Sequence, residues 1–258
     1  MPHEAEPVAA PANRSGTPIG SALAILRCFT PGAPLLGVTA IAARVGAHKS
    51  SVSRTLATLE GEGLVERDAH SGKYRLGLGL LQLSAALLAD LDVRRVARPV
   101  LARLSERLGE TSSLVLWTGE RAVSVEHVPA ARPIRHEAQL GTSYGTTASS
   151  SVRVLLAGLP AERARRLLAD GVIRAERTPE EELARLAAER ERGVAINEGS
   201  TSPDEVGVSA PVVDRSGETV AAVLVAAPRY RVDEAGLAGI AAAVREAAGE
   251  VSTRLAGA

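Results

Sequence analysis

The segment Val38–Gly77, reading VTAIAARVGAHKSSVSRTLATLEGEGLVERDAHSGKYRLG, constrains this chain more than any other stretch. Ile41 and Val45 are four apart and mark the inner side of a short helix over Val38–Val45. Gly46 ends it, at the position where a left-handed residue costs least. Val52, Leu56 and Leu59 form one stripe of a next helix, from Lys49 to about Glu62, which turns Ser50, Ser51, Ser53, Arg54 and Thr58 outward. LVER and KYRL then alternate across a tip containing His70, Ser71 and Gly72, as a β-hairpin does. Two short helices, a sharp turn and a hairpin predict a winged helix-turn-helix, an arrangement that lays one helix in a groove of duplex DNA.

Charge agrees locally rather than globally. The formal net charge is zero, so no overall field draws the molecule to a polyanion. Between Ser21 and Gly77, seven basic residues (Arg27, Arg44, Lys49, Arg54, Arg67, Lys73, Arg75) outnumber four acidic ones (Glu60, Glu62, Glu66, Asp68). Both lysines of the protein, Lys49 and Lys73, fall there, one opening the second helix and one at the hairpin tip. A helix entering the major groove needs short polar side chains near its N-terminus, so that its backbone can approach base edges. Ser50, Ser51 and Ser53 meet that need. Arg54 reaches a guanine edge or a phosphate, Lys49 a phosphate, and Lys73 and Arg75 the DNA backbone beside the wing. His48 and His70 border these elements and read as turn residues.

A length of 258 residues suits one large domain or two ordinary ones, and 45% hydrophobic with 23% charged residues describes a globular chain with a core. Aromatics are 2%, so that core is built of Ala, Leu and Val. Residues 1–18, rich in Pro, Ala and Glu, are expected to be a disordered tail. Residues 19–77 form the winged domain, opened by a helix over Gly20–Phe29. Residues 78–92 form a linker helix, and 93–258 a second, larger domain. The linker carries Leu80, Leu81, Leu83, Leu87, Leu88 and Leu91, apolar nearly all round, and is read as packing on its own domain and on a second subunit. Cys28, the single cysteine, has no partner for an internal disulfide. No run of about twenty apolar residues and no basic-then-apolar N-terminus is present, so no membrane association and a cytoplasmic location are expected.

In the larger domain, an amphipathic helix over Val93–Leu108 precedes two strand-like runs, SSLVLWT and RAVSVEHV. Helices follow at Ser149–Gly158, Ala161–Ala169 and Pro179–Arg192, then the strands VAIN, VGVSAPVV and TVAAVLVAA, and a closing helix. Paired strands with helices before, between and after predict an α+β fold with a mostly antiparallel sheet flanked by helices.

The whole pattern resembles the IclR family of bacterial transcription regulators. SALAILRCF resembles that family's first helix, and AARVGAHKSSVSRTLATLEGEGLVERD with GKYRLG its helix-turn-helix and wing. ERGVAINEGSTSPDEVGVSAPVVDRSGETVAAVLVAAP resembles its most recognisable effector-domain stretch. The resemblance implies a GAF-like C-terminal domain that binds a small molecule, dimers often paired into tetramers, and an operator that is an inverted repeat of double-stranded DNA. It implies repression more often than activation, with no cofactor.

It also implies effector-pocket positions: Ser150, Ser151, Asn197, Gly207, Leu224 and Ala226. Here the loop GTSYGTTASSSVRVLLAGLP has Thr147 and Val152 where the family usually has His and Gly, while its basic residue persists as Arg153. Asn197 stands where several members have an acid, and Leu224 and Ala226 where they have serines. The family's frequent Glu is replaced by Ser200. A less polar pocket follows, suited to a moderately apolar ligand with one acidic or hydroxyl group rather than a small keto acid such as glyoxylate. The hydroxyls of Thr146–Ser151 suit a carboxylate or phenol at a helix start, or simply cap that helix. An activator of the same family and a serine hydrolase using the Ser149–Ser151 run are the alternatives. For the hydrolase, no GxSxG elbow surrounds those serines. His127 and His136, beside Glu126 and Glu137, lack the fixed short spacing of a metal site and read as strand residues.

Overall fold

The computed structural model describes residues 17–30, 32–90, 92–133, 135 and 140–257. Of the expected tail, residues 1–16 lie outside the described residues, as do His136, Glu137 and Leu91. The chain divides into two compact units, Met1–Asp90 and Leu91–Ala258.

In the first unit α1 spans Pro18–Leu26, where a helix over Gly20–Phe29 was expected. Thr17 accepts from the Gly20 N–H at 3.1 Å and Pro18 occupies the first turn, so the start moves upstream to a cap and a residue with preset φ. Helix α2 is Val38–Val45, ended by Gly46 at φ 66°. Helix α3 is Lys49–Gly61, and the wing strands are β1 (Val65–Arg67) and β2 (Tyr74–Leu76). They pair antiparallel with Val65 opposite Leu76, Glu66 opposite Arg75 and Arg67 opposite Tyr74. Leu36 and Tyr74 exchange backbone hydrogen bonds at 2.9 and 2.8 Å, tying the chain ahead of α2 to the wing. Gly77 is required by close approach, since a Cβ there would sit 2.2 Å from the Gly63 carbonyl oxygen.

Ile25, Ile41, Val52, Leu56, Leu59, Val65 and Tyr74 close around one another as this unit's core. Helix α4 (Gly79–Asp90) follows. Leu78, Leu81 and Leu83 are exposed, as are Ile19 and Leu23 of α1. The side chains of Leu87 and Leu88 fall outside the described residues.

The second unit begins with α5 (Asp92–Leu108), then β3 (Thr111–Trp117), β4 (Ala122–Val128) and β5 (Ser143–Tyr144). Helices α6 (Ser150–Gly158), α7 (Ala161–Ala169) and α8 (Pro179–Arg192) come next. Strands β6 (Ala195–Glu198), β7 (Glu205–Val213) and β8 (Thr219–Pro228) follow, and α9 (Glu234–Gly257) closes the chain. The six strands run β5-β4-β3-β8-β7-β6 and every neighbouring pair is antiparallel. Strand β5, two residues long, is too short to show alternation in sequence.

Alternation assigns the two faces. Leu114, Val206, Val208, Val223 and Val225 pack on Leu101 and Leu104 of α5 and Val244 and Val251 of α9. Val115, Ala195, Ala222 and Leu224 turn the other way, onto Val152, Leu155 and Leu156 of α6 and, beyond it, Leu168 and Leu186. Strands covered on both faces read as nearly continuous apolar runs, so a serine among them stands out.

Candidate functional site

Helix α3 presents two opposite faces. Val52 and Leu56 are 1% and 0% exposed, whereas Lys49, Ser50, Ser51, Ser53 and Arg54 are all exposed. Thr55 and Thr58 donate back to the Ser51 and Arg54 carbonyls, so the outward hydroxyls nearest the helix start are the serines. His48 precedes the helix in extended conformation without capping it by its side chain. Among the described residues, Lys49, Arg54 and Lys73 enter no ion pair. Arg75 differs: it donates to Glu66 Oε2 at 3.1 and 2.9 Å across the hairpin. A phosphate would have to compete with that carboxylate. In the turn, Asp68 accepts from the Ser71 hydroxyl and backbone N–H at 2.6 and 2.8 Å. The Ser71 hydroxyl chiefly, then its N–H, hold the Asp68 carboxyl below the ordinary range.

The second cluster lies on the α6 side of the sheet. Ser150, Ser151, Asn197, Leu224 and Ala226 are at most 7% exposed, and Gly207 is buried with them. Asn197, Gly207 and Ala226 face one another across β6, β7 and β8. A Cβ on Gly207 would lie 3.4 Å from Ser150 Oγ, 3.7 Å from Leu224 Cδ1 and 3.8 Å from Asn197 Cβ, so four of these residues converge on that point. Ser150 is joined to Ser209 at 2.9 Å and Ser151 to Ser149 at 2.9 Å. Asn197 is engaged with its own loop: its Oδ1 accepts from the Ser200 N–H at 2.7 Å and its Nδ2 donates to Thr201 Oγ1 at 2.5 Å. The row continues through Ser113, in register with Leu224, to His127, whose Nδ1 is 3.4 Å from Ser113 Oγ. The cluster presents hydroxyls on one side and Leu224 on the other. An open depression of about 480 Å³ lined by Arg95, Val96, Pro99, Arg254 and Gly257 lies between α5 and α9, away from the cluster.

Beneath α6 is a buried ionic network. Arg153 is 0% exposed. Its Nε donates to both Glu189 carboxylate oxygens at 2.9 and 3.0 Å. Its Nη1 donates to the Thr147 and Ala148 carbonyls at 2.6 and 3.1 Å, and its Nη2 to the Ile196 carbonyl at 2.6 Å. Burial lowers the proton affinity of this guanidinium and the Glu189 carboxylate opposes that effect. Glu182, 0% exposed, accepts from Thr147 Oγ1 at 2.6 Å, and Arg185 lies 3.9 Å from Glu182 and 3.5 Å from Glu189.

Glu126 and His127 do not face a common point. Adjacent strand residues point to opposite faces. Glu126 turns to Arg94 of α5 at 2.9 Å while His127 turns to Ser113. Among the described residues no group of three or more His, Cys, Asp or Glu could hold a metal ion. Among them too, no helix is long and apolar enough to cross a membrane.

Tyr144 packs against the α6-side core, and its phenol is pushed up to about 12, first by burial and second by the Glu205 carboxylate. A folded value above the unfolded one, about 10, favours the neutral form, so this contribution is full below pH ~10 and lost as pH rises toward about 12. Tyr144→Phe is expected to flatten the fall in melting temperature above pH ~10. Equal falls in both proteins would refute the assignment.

Residues 85–253 match the family described as bacterial transcriptional regulator IclR C-terminal, and residues 19–69 the IclR helix-turn-helix domain. The chain belongs to the IclR family. It is a DNA-binding transcriptional regulator of the helix-turn-helix type, and the family is not one of enzymes. It is 33% identical over 226 residues to the HTH-type transcriptional regulator Rv1719 of Mycobacterium tuberculosis, covering 86% of each chain. It is 29% identical over 223 residues to XynR of Escherichia coli, covering 84% of this chain and 88% of that one. An IclR-type regulator from Silicibacter sp. TM1040 superposes with a TM-score of 0.79 at 26% identity, covering 94% and 97% of the two chains. An IclR homolog from Microbacterium hydrocarbonoxydans, solved in complex with 4-hydroxybenzoate, shares the fold at TM-score 0.76 and 22% identity, covering 94% and 100%.

Relative to the IclR resemblance, the structure adds Ser113, Ser209, His127 and Thr201 to the neighbourhood of the effector positions, and it gives Arg153 its partners. One signal for the latter exists in sequence. Glu182, Leu186 and Glu189 share a stripe of α8, and carboxylates at positions meant for the core imply a buried cation.

Proposed function

We propose that this IclR-family regulator binds an inverted-repeat operator as a dimer, able to pair into a tetramer, and represses the adjacent genes. Lys49, Ser50, Ser51, Ser53 and Arg54 enter the major groove, and Lys73 and Arg75 contact the flanking backbone. The observation that carries this is α3 itself, with a dry stripe inward and, outward, short polar side chains beside Lys49 and Arg54, which enter no ion pair among the described residues. One winged unit covers few base pairs, so useful specificity takes two copies on two half-sites. The exposed Ile19, Leu23, Leu78, Leu81 and Leu83 are the apolar surface that a second copy would cover. The regulator acts in the cytoplasm, where its operator is. Gel shifts on the protein's own upstream region test this: affinity should fall steeply and log-linearly with salt. Binding indifferent to salt, or a strictly monomeric protein in sedimentation, would overturn it.

The effector occupies the space among Ser150, Ser151, Asn197, Gly207, Leu224 and Ala226, and its class is a moderately apolar molecule with one acidic or hydroxyl group. Support comes from the hydroxyls at the start of α6 and the apolar Leu224 opposite them. Helix α4, which joins the two units in sequence, carries the coupling, so that occupancy alters half-site spacing and with it DNA affinity. Calorimetry with 4-hydroxybenzoate, other aromatic acids and glyoxylate tests the class; binding of glyoxylate alone would refute it. Gly207→Leu should then abolish effector response while leaving operator binding intact, because the added side chain fills the point where Ser150, Leu224 and Asn197 meet. Undiminished response in that variant would remove Gly207 from the site.

A further inference from the structure

The pocket walls are supplied by elements far apart in sequence: the loop into α6, and β6, which carries Asn197. One side chain is bonded to both walls directly. Arg153 bonds the carbonyls of Thr147 and Ala148 on one wall and of Ile196, the neighbour of Asn197, on the other. Its Nε is held by Glu189 of α8, so the planar guanidinium is anchored on a third element and aims two edges at the two walls. Being 0% exposed, it cannot meet an effector without the unit opening.

We propose that Arg153 is the positioning residue of the effector pocket: it sets the distance between the serine-bearing start of α6 and the Asn197 strand, and effector affinity is governed through it without contact. The proposal rests on the pocket reading above. The other link between the walls is indirect: the Ser150 side chain bonds Ser209 of β7, whose backbone pairs with Ala195 of β6, while the Asn197 side chain bonds Ser200 and Thr201 of its own loop. Lysine keeps the charge and the Glu189 pairing but is a point donor, unable to hold carbonyls on two edges of a plane.

Arg153→Lys in the full-length protein is therefore the test, read by amide hydrogen exchange without any ligand. Residues 147–152 and 195–201 should exchange faster together, by tenfold or more, with α5 and α9 unchanged. Uniform acceleration across the second unit, or none in 195–201, would overturn the proposal and leave Arg153 a plain stabilising residue. A parallel titration uses 4-hydroxybenzoate as probe: a tenfold or greater loss of affinity in Arg153→Lys supports positioning, and equal affinity with loosened walls refutes control of binding. Wild-type protein that ignores this probe and every other aromatic acid counts against the ligand class, while the exchange result still decides the clamp.

Discussion

Alanine at both Lys49 and Arg54 should reduce DNA affinity by at least about 100-fold near 0.1 M salt, and leave the fold and the oligomeric state unchanged. A good base-edge contact is worth about 1–3 kcal/mol, and each tenfold in affinity about 1.4 kcal/mol. One lost base contact and one lost phosphate contact thus reach two orders of magnitude. The salt slope should also shrink by about one unit per phosphate contact removed. Stability should hardly move, because both side chains are exposed and neither enters an ion pair among the described residues. By contrast Arg75→Ala should cost less than Lys73→Ala, since Arg75 is shared with Glu66. Gel shifts with circular dichroism and sedimentation decide this. Unchanged affinity in the Lys49/Arg54 double variant would take α3 out of the groove.

Arg153→Met is expected to be the most damaging single substitution in the second unit. The side chains of Arg153 and Glu189 are 0% and 3% exposed. Removing the cation leaves a buried carboxylate with Arg185 at 3.5 Å as its remaining guanidinium among the described residues, and three carbonyls each lose a donor. Breaking a buried pair in this way costs about 3–5 kcal/mol, a large share of the roughly 5–15 kcal/mol that holds a domain folded. Replacing both partners, as Arg153→Met with Glu189→Met, should recover part of the loss, because no lone charge remains. Denaturant melts of the three proteins check the order. A single variant as stable as wild type would show the pair to be dispensable. The chain's winged unit should melt unaltered in each of them, as it contains none of these residues.

How far the sequence alone reaches depends on the range of the interactions concerned. The helix-turn-helix was legible because its signals are local: a stripe at 3.6-residue spacing, Gly46 at a helix end, serines and cations on the remaining face. The strands of the second unit were legible for the same reason, and the IclR resemblance placed Ser150, Asn197, Gly207 and Leu224 in one region. The register that aims them at one point was beyond it. Pairing Asn197 with Gly207 and Ser209 with Leu224 joins residues that no periodicity relates. Arg75 illustrates the converse, since a cation at a wing looks available in sequence until the hairpin register sets Glu66 opposite it.

Sequence by itself determined the helices and hairpin of the first unit, the exposed polar side of α3 and the family, since each follows from neighbours along the chain or from a motif read in order. Tertiary structure alone decided that Ser150 meets Ser209 and that Arg153 faces Glu189 instead of solvent. The physical reason is that burial and hydrogen-bond partnership are properties of surfaces brought together by packing, and the residues on those surfaces are 36 to 59 positions apart in the chain.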